Sequence, residues 1–382
     1  MAISRPSLLP GLAAVVAGGV FAAALLAAEQ QWAVGALIGG AALAALAAWR
    51  FGLAHAVGAS FDAHEGVLNA AVVAAVLAVT AWFYEDHFPL LMMATVLLSA
   101  TACIGLTVQF GYAGMVNFAG ASFYGAGAYT AAVVLKYTSL PHLLAIPLGG
   151  LVAAVIGSFL ILPMLRTKGH YTAVVTIAFA ILMKTFLEVN DALGGPQGMK
   201  IRNVSVFGWK PNTALEFGAV ELSHYVVYVV AALALLVLAF GLTRRMERSW
   251  VGLALDTVRI DETAAACFGH DIARWKIVAF TWGNALAGMA GALYALMVGF
   301  IAPNNFTFGD SLILVSIIIL GGIGNLWGAM LATALVVILP EKFQIIQEYR
   351  FLLYAALVML ILLFRPQGLL PRSLRAYAPG RG

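Results

Sequence analysis

Long apolar runs govern what this chain can become. Twelve stretches carry almost no charge, near 8–28, 32–49, 66–83, 88–108, 111–135, 143–164, 171–189, 223–243, 276–297, 311–323, 327–340 and 351–364. About 20 apolar residues make a helix long enough to cross a hydrocarbon core roughly 30 Å thick. Backbone in lipid must satisfy its own hydrogen bonds, so such runs are predicted to be helices; they are too long and too unalternating for barrel strands. Charged residues are only 10% of the chain and hydrophobic ones 63%, whereas soluble domains carry about 25% charge. The expected class is therefore all-α, a polytopic membrane helical bundle of about 10–12 apolar segments with re-entrant or broken helices. A soluble enzyme, a disordered chain and a secreted disulfide scaffold are excluded, since Cys103 and Cys267 alone cannot form a framework.

Two glycine-dense stretches interrupt the runs. Residues 111–120 contain Gly111, Gly114, Asn117 and Gly120, and residues 321–328 contain Gly321, Gly322, Gly324 and Gly328. Each glycine lowers helix propensity by about 1 kcal/mol. The stretches read either as broken or re-entrant helices shielded by protein or as close helix packing through small residues. Orientation follows the excess of Lys and Arg in cytoplasmic loops. With the amino terminus inside, inner loops hold fourteen basic residues and outer loops six, so both termini are expected in the cytoplasm. The first run resembles a signal peptide, but keeping it as an uncleaved anchor preserves this alternation.

The chemistry that is missing narrows function further. No Walker A sequence and no HExxH motif occurs, and no paired intramembrane aspartates are present. No catalytic residue and no metal ligand set is expected. Net charge is +4 without a basic, aromatic-interleaved stripe, so no nucleic-acid partner is expected. Nearly all seventeen acids lie outside the apolar runs, which disfavours a proton relay. Lys184 and Glu188 are four residues apart on one helix face; they read as a neutralised pair near the outer surface or as a polar spot on a solute path. The chain is expected to move a solute with energy supplied from elsewhere, or passively.

The inner loop 244–275 is the most informative segment. Asp261 is suited to N-cap a helix, Glu262 to favour its positive end, Ala264 to Ala266 to continue it, and Gly269 to stop it. A short capped helix on the cytoplasmic side is predicted. It serves either as an interfacial cap on the bundle or as a docking element for a soluble partner.

At this point the chain resembles permeases of the branched-chain amino acid ABC importers, of the LivM type. The resemblance rests on Gly111-Tyr112-Ala113-Gly114 through Ala131, on Leu165–Tyr171 with Val175–Phe179, on loop 250–276, and on Leu320–Gly328 with Leu339-Pro340-Glu341 and Phe364–Leu369. It covers roughly residues 90–370. Asn117 stands where similar proteins often have serine, and the histidine that often follows is absent.

The resemblance implies a permease core at 86–370, an amino-terminal extension at 1–85 with about three spans, and a cytoplasmic tail at 371–382. It implies no enzyme activity in this chain; ATP and Mg belong to partner subunits. The partners implied are a second homologous permease subunit, two cytoplasmic ATPase subunits, an extracytoplasmic solute-binding protein and membrane lipid. The solute implied is a branched-chain or other small amino acid; urea, short amides and aromatic acids are served by related permeases, and a passive channel or secondary carrier is the rival class. Asp261, Glu262, Ala265 and Gly269 are assigned to coupling with the ATPases, and Gly111, Gly114, Asn117, Ser122, Lys184, Gly321, Gly322 and Gly324 to the translocation path. The bacterial inner membrane is the expected location.

Overall fold

A computed structural model describes residues 7–138, 140–165, 170–201, 215–217 and 220–342, with isolated positions at 349, 352, 355, 356, 359, 363, 367–370 and 372. The basic turn 166–169, most of the run 351–364 and most of the tail after 371 lie outside the described residues.

The helices in chain order are α1 (Leu9–Ala27), α2 (Gln31–Arg50), α3 (Leu53–Ala63), α4 (Glu65–Trp82), α5 (His87–Thr107), α6 (Gly120–Tyr137), α7 (Ala145–Met164), α8 (His170–Val189), α9 (Tyr225–Glu247), α10 (Trp250–Ile260), α11 (Glu262–Cys267), α12 (Ile272–Val298), α13 (Phe308–Gly321) and α14 (Leu326–Lys342). Strand pairing is slight. β1 (Met199–Lys200) pairs antiparallel with β4 (Phe300–Ile301), and β2 (Leu215–Phe217) with β3 (Val220–Leu222). Among the described residues, eight segments are long and apolar enough to cross a membrane. The chain is a polytopic helical bundle.

The helices follow the apolar runs closely, with three differences. The run 111–135 is not one helix: α5 ends in a π turn (Val108–Tyr112), and α6 begins only at Gly120. The run 311–323 ends at Gly321, and α14 restarts at Leu326. α3 was not expected, because its apolar content is too short to register as a span.

The chain divides into two compact units. The first comprises Met1–Met93, Ala214–Val230 and Glu341–Gln344. In it α1 lies on α3 and α4: Gly11 faces the Leu68 side chain, and the Ser60 hydroxyl donates to the Ser7 carbonyl at 2.7 Å. The Lys342 ammonium donates to the Leu26 and Ala28 carbonyls at 2.7 and 2.9 Å. Those carbonyls end α1 and lack partners inside the helix, so a cation there satisfies them.

The second unit comprises Ala94–Thr213, Ala231–Pro340 and Ile345–Gly382. Its centre is α12, 27 residues long and so about 40 Å end to end. α12 packs against α5, α6 and α7 through glycine. A Cβ added at Gly105 would strike the Gly283 carbonyl, one at Gly127 the Gly288 carbonyl, and one at Gly291 the Tyr124 carbonyl. Lipid is as apolar as leucine, so helices in it associate by such close backbone packing rather than by hydrophobic burial. The outward residues fit that solvent: Phe159 on α7 and Leu182 and Val189 on α8 are mostly exposed.

Candidate functional site

The segment between α9 and α12 folds into two helices where one was expected. The Ser249 hydroxyl accepts from the Val251 amide at 3.2 Å and starts α10. α10 buries Leu255, Val258 and Asp256, and the Trp250 ring meets Trp275 of α12 edge to face at 5.1 Å. α11 follows at once. Asp261 accepts from the Thr263 and Ala264 amides at 2.8 and 3.1 Å. At the other end the Gly269 amide donates to Ala266 and the His270 amide to Ala265, at 2.9 and 3.0 Å, with Gly269 at φ +83°. That is the Schellman pattern, which needs a residue tolerant of left-handed backbone. Within α11 only Ala265 is buried. Glu262 accepts from the Lys276 ammonium at 2.6 Å, which ties α11 to the first turns of α12. Everything else on α11 faces outward, and Phe268 just past it is 83% exposed.

Two helix breaks meet in the same unit. At the first, the Ala113 amide reaches back to Val108 and the Met115 amide to Gln109, at 3.1 and 2.8 Å. These wide rings use up residues that a regular helix would have spaced evenly. Gly114 then takes φ +66°, and a Cβ there would lie 3.1 Å from Cγ of Arg259. At the second break, Gly322 and Gly324 also have positive φ. The backbones of Gly111 and Gly324 touch, as do those of Gly321 and Gly328. The tail closes over this junction. The Leu369 and Leu370 amides donate to the Leu320 and Gly321 carbonyls at 2.8 and 3.0 Å, and a Cβ at Gly322 would strike the Leu370 carbonyl.

Arg372 sits on top of the junction. Its two Nη atoms hold the two carboxylate oxygens of Asp256 at 2.7 and 3.0 Å. Nη1 also donates to the Gly111 carbonyl at 3.0 Å. The guanidinium lies 4.2 Å from the centre of the Tyr112 ring, and Glu247 Oε1 is 3.6 Å from Nε. The side chains of Arg372 and Asp256 are 10% and 8% exposed. Paired this way in a low dielectric, the charges are held; separated, each would be strongly unfavourable.

A third group is an amide cluster. Gln109 Nε2 donates to the Phe280 carbonyl at 3.0 Å and to Asn284 Oδ1 at 2.9 Å. Asn117 Nδ2 donates to Gln109 Oε1 at 2.8 Å and to Asn284 Oδ1 at 3.3 Å. Asn117 Oδ1 accepts from the Ala119 amide at 2.9 Å. All three side chains are buried, and Asn284 Nδ2 has no hydrogen-bond partner. Buried amides are costly unless bonded, so this cluster fixes the unwound segment 113–119 against α12.

The residues assigned from sequence to the path therefore occupy different settings. Gly111, Gly321, Gly322 and Gly324 are points of backbone contact at the junction, and Gly114 lies beside Arg259. Asn117 is inside the amide cluster. The Ser122 hydroxyl is buried without a partner. Lys184 pairs with Glu188 at 3.2 Å, partly exposed on α8 and outside the cluster. Gln109, Asn284, Glu247, Asp256 and Arg372 escaped the sequence reading. Asn284 offered a signal, an amide inside an apolar run; the Asp256–Arg372 pairing offered none, because its partners are 116 residues apart.

Comparison with known proteins places the chain in a family. The family described as branched-chain amino acid transport system, permease component, matches residues 88–364. The high-affinity branched-chain amino acid transport system permease protein LivM of Escherichia coli is 35% identical over 284 residues, covering 71% of this chain and 67% of that protein. The permease protein BraD of Pseudomonas aeruginosa is 27% identical over 293 residues, 72% of this chain and 91% of that protein. LivH of Escherichia coli is 25% identical over 292 residues, with the same coverage. No solved structure matches the chain. A multi-pass helical bundle whose breaks and loop all lie within or beside the matched span, this chain belongs to the family of branched-chain amino acid transport permeases.

Proposed function

We propose that this permease is the membrane-spanning subunit of an ATP-driven importer for branched-chain or other small amino acids. Its partners are a second related permease subunit, two cytoplasmic ATPase subunits that bind ATP and Mg, and an extracytoplasmic binding protein that delivers the solute. It lies in the bacterial inner membrane with both termini in the cytoplasm, in keeping with the fourteen basic residues of the loops assigned inside. The names of its relatives support the solute class.

One observation carries the coupling assignment. α11 is capped at both ends, tied to α12 by Glu262 and Lys276, and otherwise turned outward. A rigid exposed helix with small side chains fits a groove on a soluble partner and passes that partner's movement to the spans. Solute crosses beside the two breaks, past Gly111, Gly114, Asn117, Ser122, Gly321, Gly322 and Gly324, with Lys184 as a polar point nearer the outer side. Asn117 is wholly buried here, so the amide cluster must part for solute to pass. Weak, scattered contacts suit that role, because a carried solute must leave as readily as it enters.

The test is Ala266→Arg, which puts a bulky cation on the exposed face of α11 without touching its caps. In the assembled complex, leucine-stimulated ATP hydrolysis is expected to fall by about tenfold, the size of a lost 1.4 kcal/mol contact. Unchanged stimulation with unchanged assembly would remove the docking role.

A further inference from the structure

We infer that Arg372 is the positioning residue that transmits movement of the α10–α11 loop to the two helix breaks. The inference rests on the reading that this loop receives the motion of the ATPase subunits. Three separate parts of the chain converge on one guanidinium. Asp256 belongs to α10, one turn before its end at Ile260, and is gripped by both Nη atoms. The Gly111 carbonyl belongs to the π turn that ends α5. The arginine stem lies on Gly324, where a Cβ would come within 2.7 Å of Cδ, and the residues just before it are hydrogen-bonded to Leu320 and Gly321.

The geometry makes this a link rather than a loose contact. A fork held by two parallel bonds resists rotation, unlike the single point charge of a lysine. The Tyr112 face lies against the guanidinium and Glu247 closes in from α9. If α10 shifts, Arg372 must either follow or leave buried charges unpaired, and the second course is strongly unfavourable. Asp256, Arg372, Gly111 and Gly324 therefore move together. Arg259, one turn beyond Asp256, stands against Gly114 and gives α10 a second hold on the first break.

The experiment uses the full complex in proteoliposomes, with labelled leucine as probe, and reads leucine taken up per ATP hydrolysed. Arg372→Lys keeps the charge and loses the fork. It is expected to assemble and to retain leucine-stimulated hydrolysis, with uptake per ATP reduced about 2- to 30-fold, the range by which residues along such contacts alter coupling. The double variant Asp256→Asn with Arg372→Gln removes both charges at once. It is expected to recover most of the thermal stability lost by Arg372→Gln alone, while uptake per ATP stays low. Parental uptake per ATP in Arg372→Lys, or recovery of stability and uptake together in the double variant, would overturn the role. Ala266→Arg measured alongside separates the two readings: it lowers leucine-stimulated hydrolysis itself about tenfold, whereas Arg372→Lys leaves hydrolysis and uncouples it from uptake.

Discussion

α11 and the Arg372 junction belong to the same unit and are built in opposite ways. The caps of α11 are made by residues within five positions of one another, and nearly all of it is exposed. Arg372 gathers partners 116 and 261 positions away and is almost wholly buried. The contrast separates two tasks. A docking element must hold its own shape while presenting a surface, so it is stabilised locally. A transmitting element must bind several helices to each other, so it is stabilised by contacts distant in sequence. Damage should accordingly differ in reach: local and functional at α11, global at the junction.

The largest effect is expected from Asp256→Ala. It leaves the buried Arg372 with the Gly111 carbonyl, the Tyr112 ring and, for its charge, the longer Glu247 contact, and breaking a buried pair from one side costs about 3–5 kcal/mol. Thermal melting of the purified protein should fall by many degrees; a change no larger than that of an exposed substitution would break the contrast. Asp261→Ala comes next. Loss of an N-cap costs about 1 kcal/mol, expected as faster hydrogen exchange confined to the amides around 262–268, with melting unchanged and leucine-stimulated hydrolysis reduced. Exchange accelerating across α12 as well would show that α11 is not locally held.

The smallest effect lies in the first unit and serves as a control. His224 meets His87 edge to face at 5.5 Å, and burial, with the neighbouring histidine adding to it, lowers its pKa below the ordinary 6.5. The unfolded chain then binds more protons than the folded one in the window just below that value, so stability falls as pH drops through it and is insensitive above it. His224→Asn should flatten this slope while leaving uptake per ATP unchanged. A slope that survives the substitution would assign it to another group.

How much of this was legible in the sequence follows from the same contrast. The spans were legible because lipid demands uninterrupted apolar length, and α11 because Asp261 and Gly269 signal their caps by identity and spacing. Both glycine-dense stretches marked the breaks, although sequence alone left close packing open; the structure shows both, with the helices interrupted at 113–119 and 322–325 and glycine contacts across them. α10 was missed because its apolar face is short and its helix ends only one residue before α11 begins. By sequence Arg372 is one more basic residue of the tail. Nothing in its neighbourhood announces Asp256, since a tertiary ion pair leaves no periodicity. The sequence places Asn117 on the translocation path, and its bonds to Gln109 and Asn284 show why position in a run does not reveal closure.

The most direct test of the central claim is uptake of labelled leucine into proteoliposomes, with this chain alone and with its permease, ATPase and binding-protein partners, with and without ATP. Uptake is expected only from the complete assembly supplied with ATP. Equal uptake by the chain alone would contradict an ATP-driven permease.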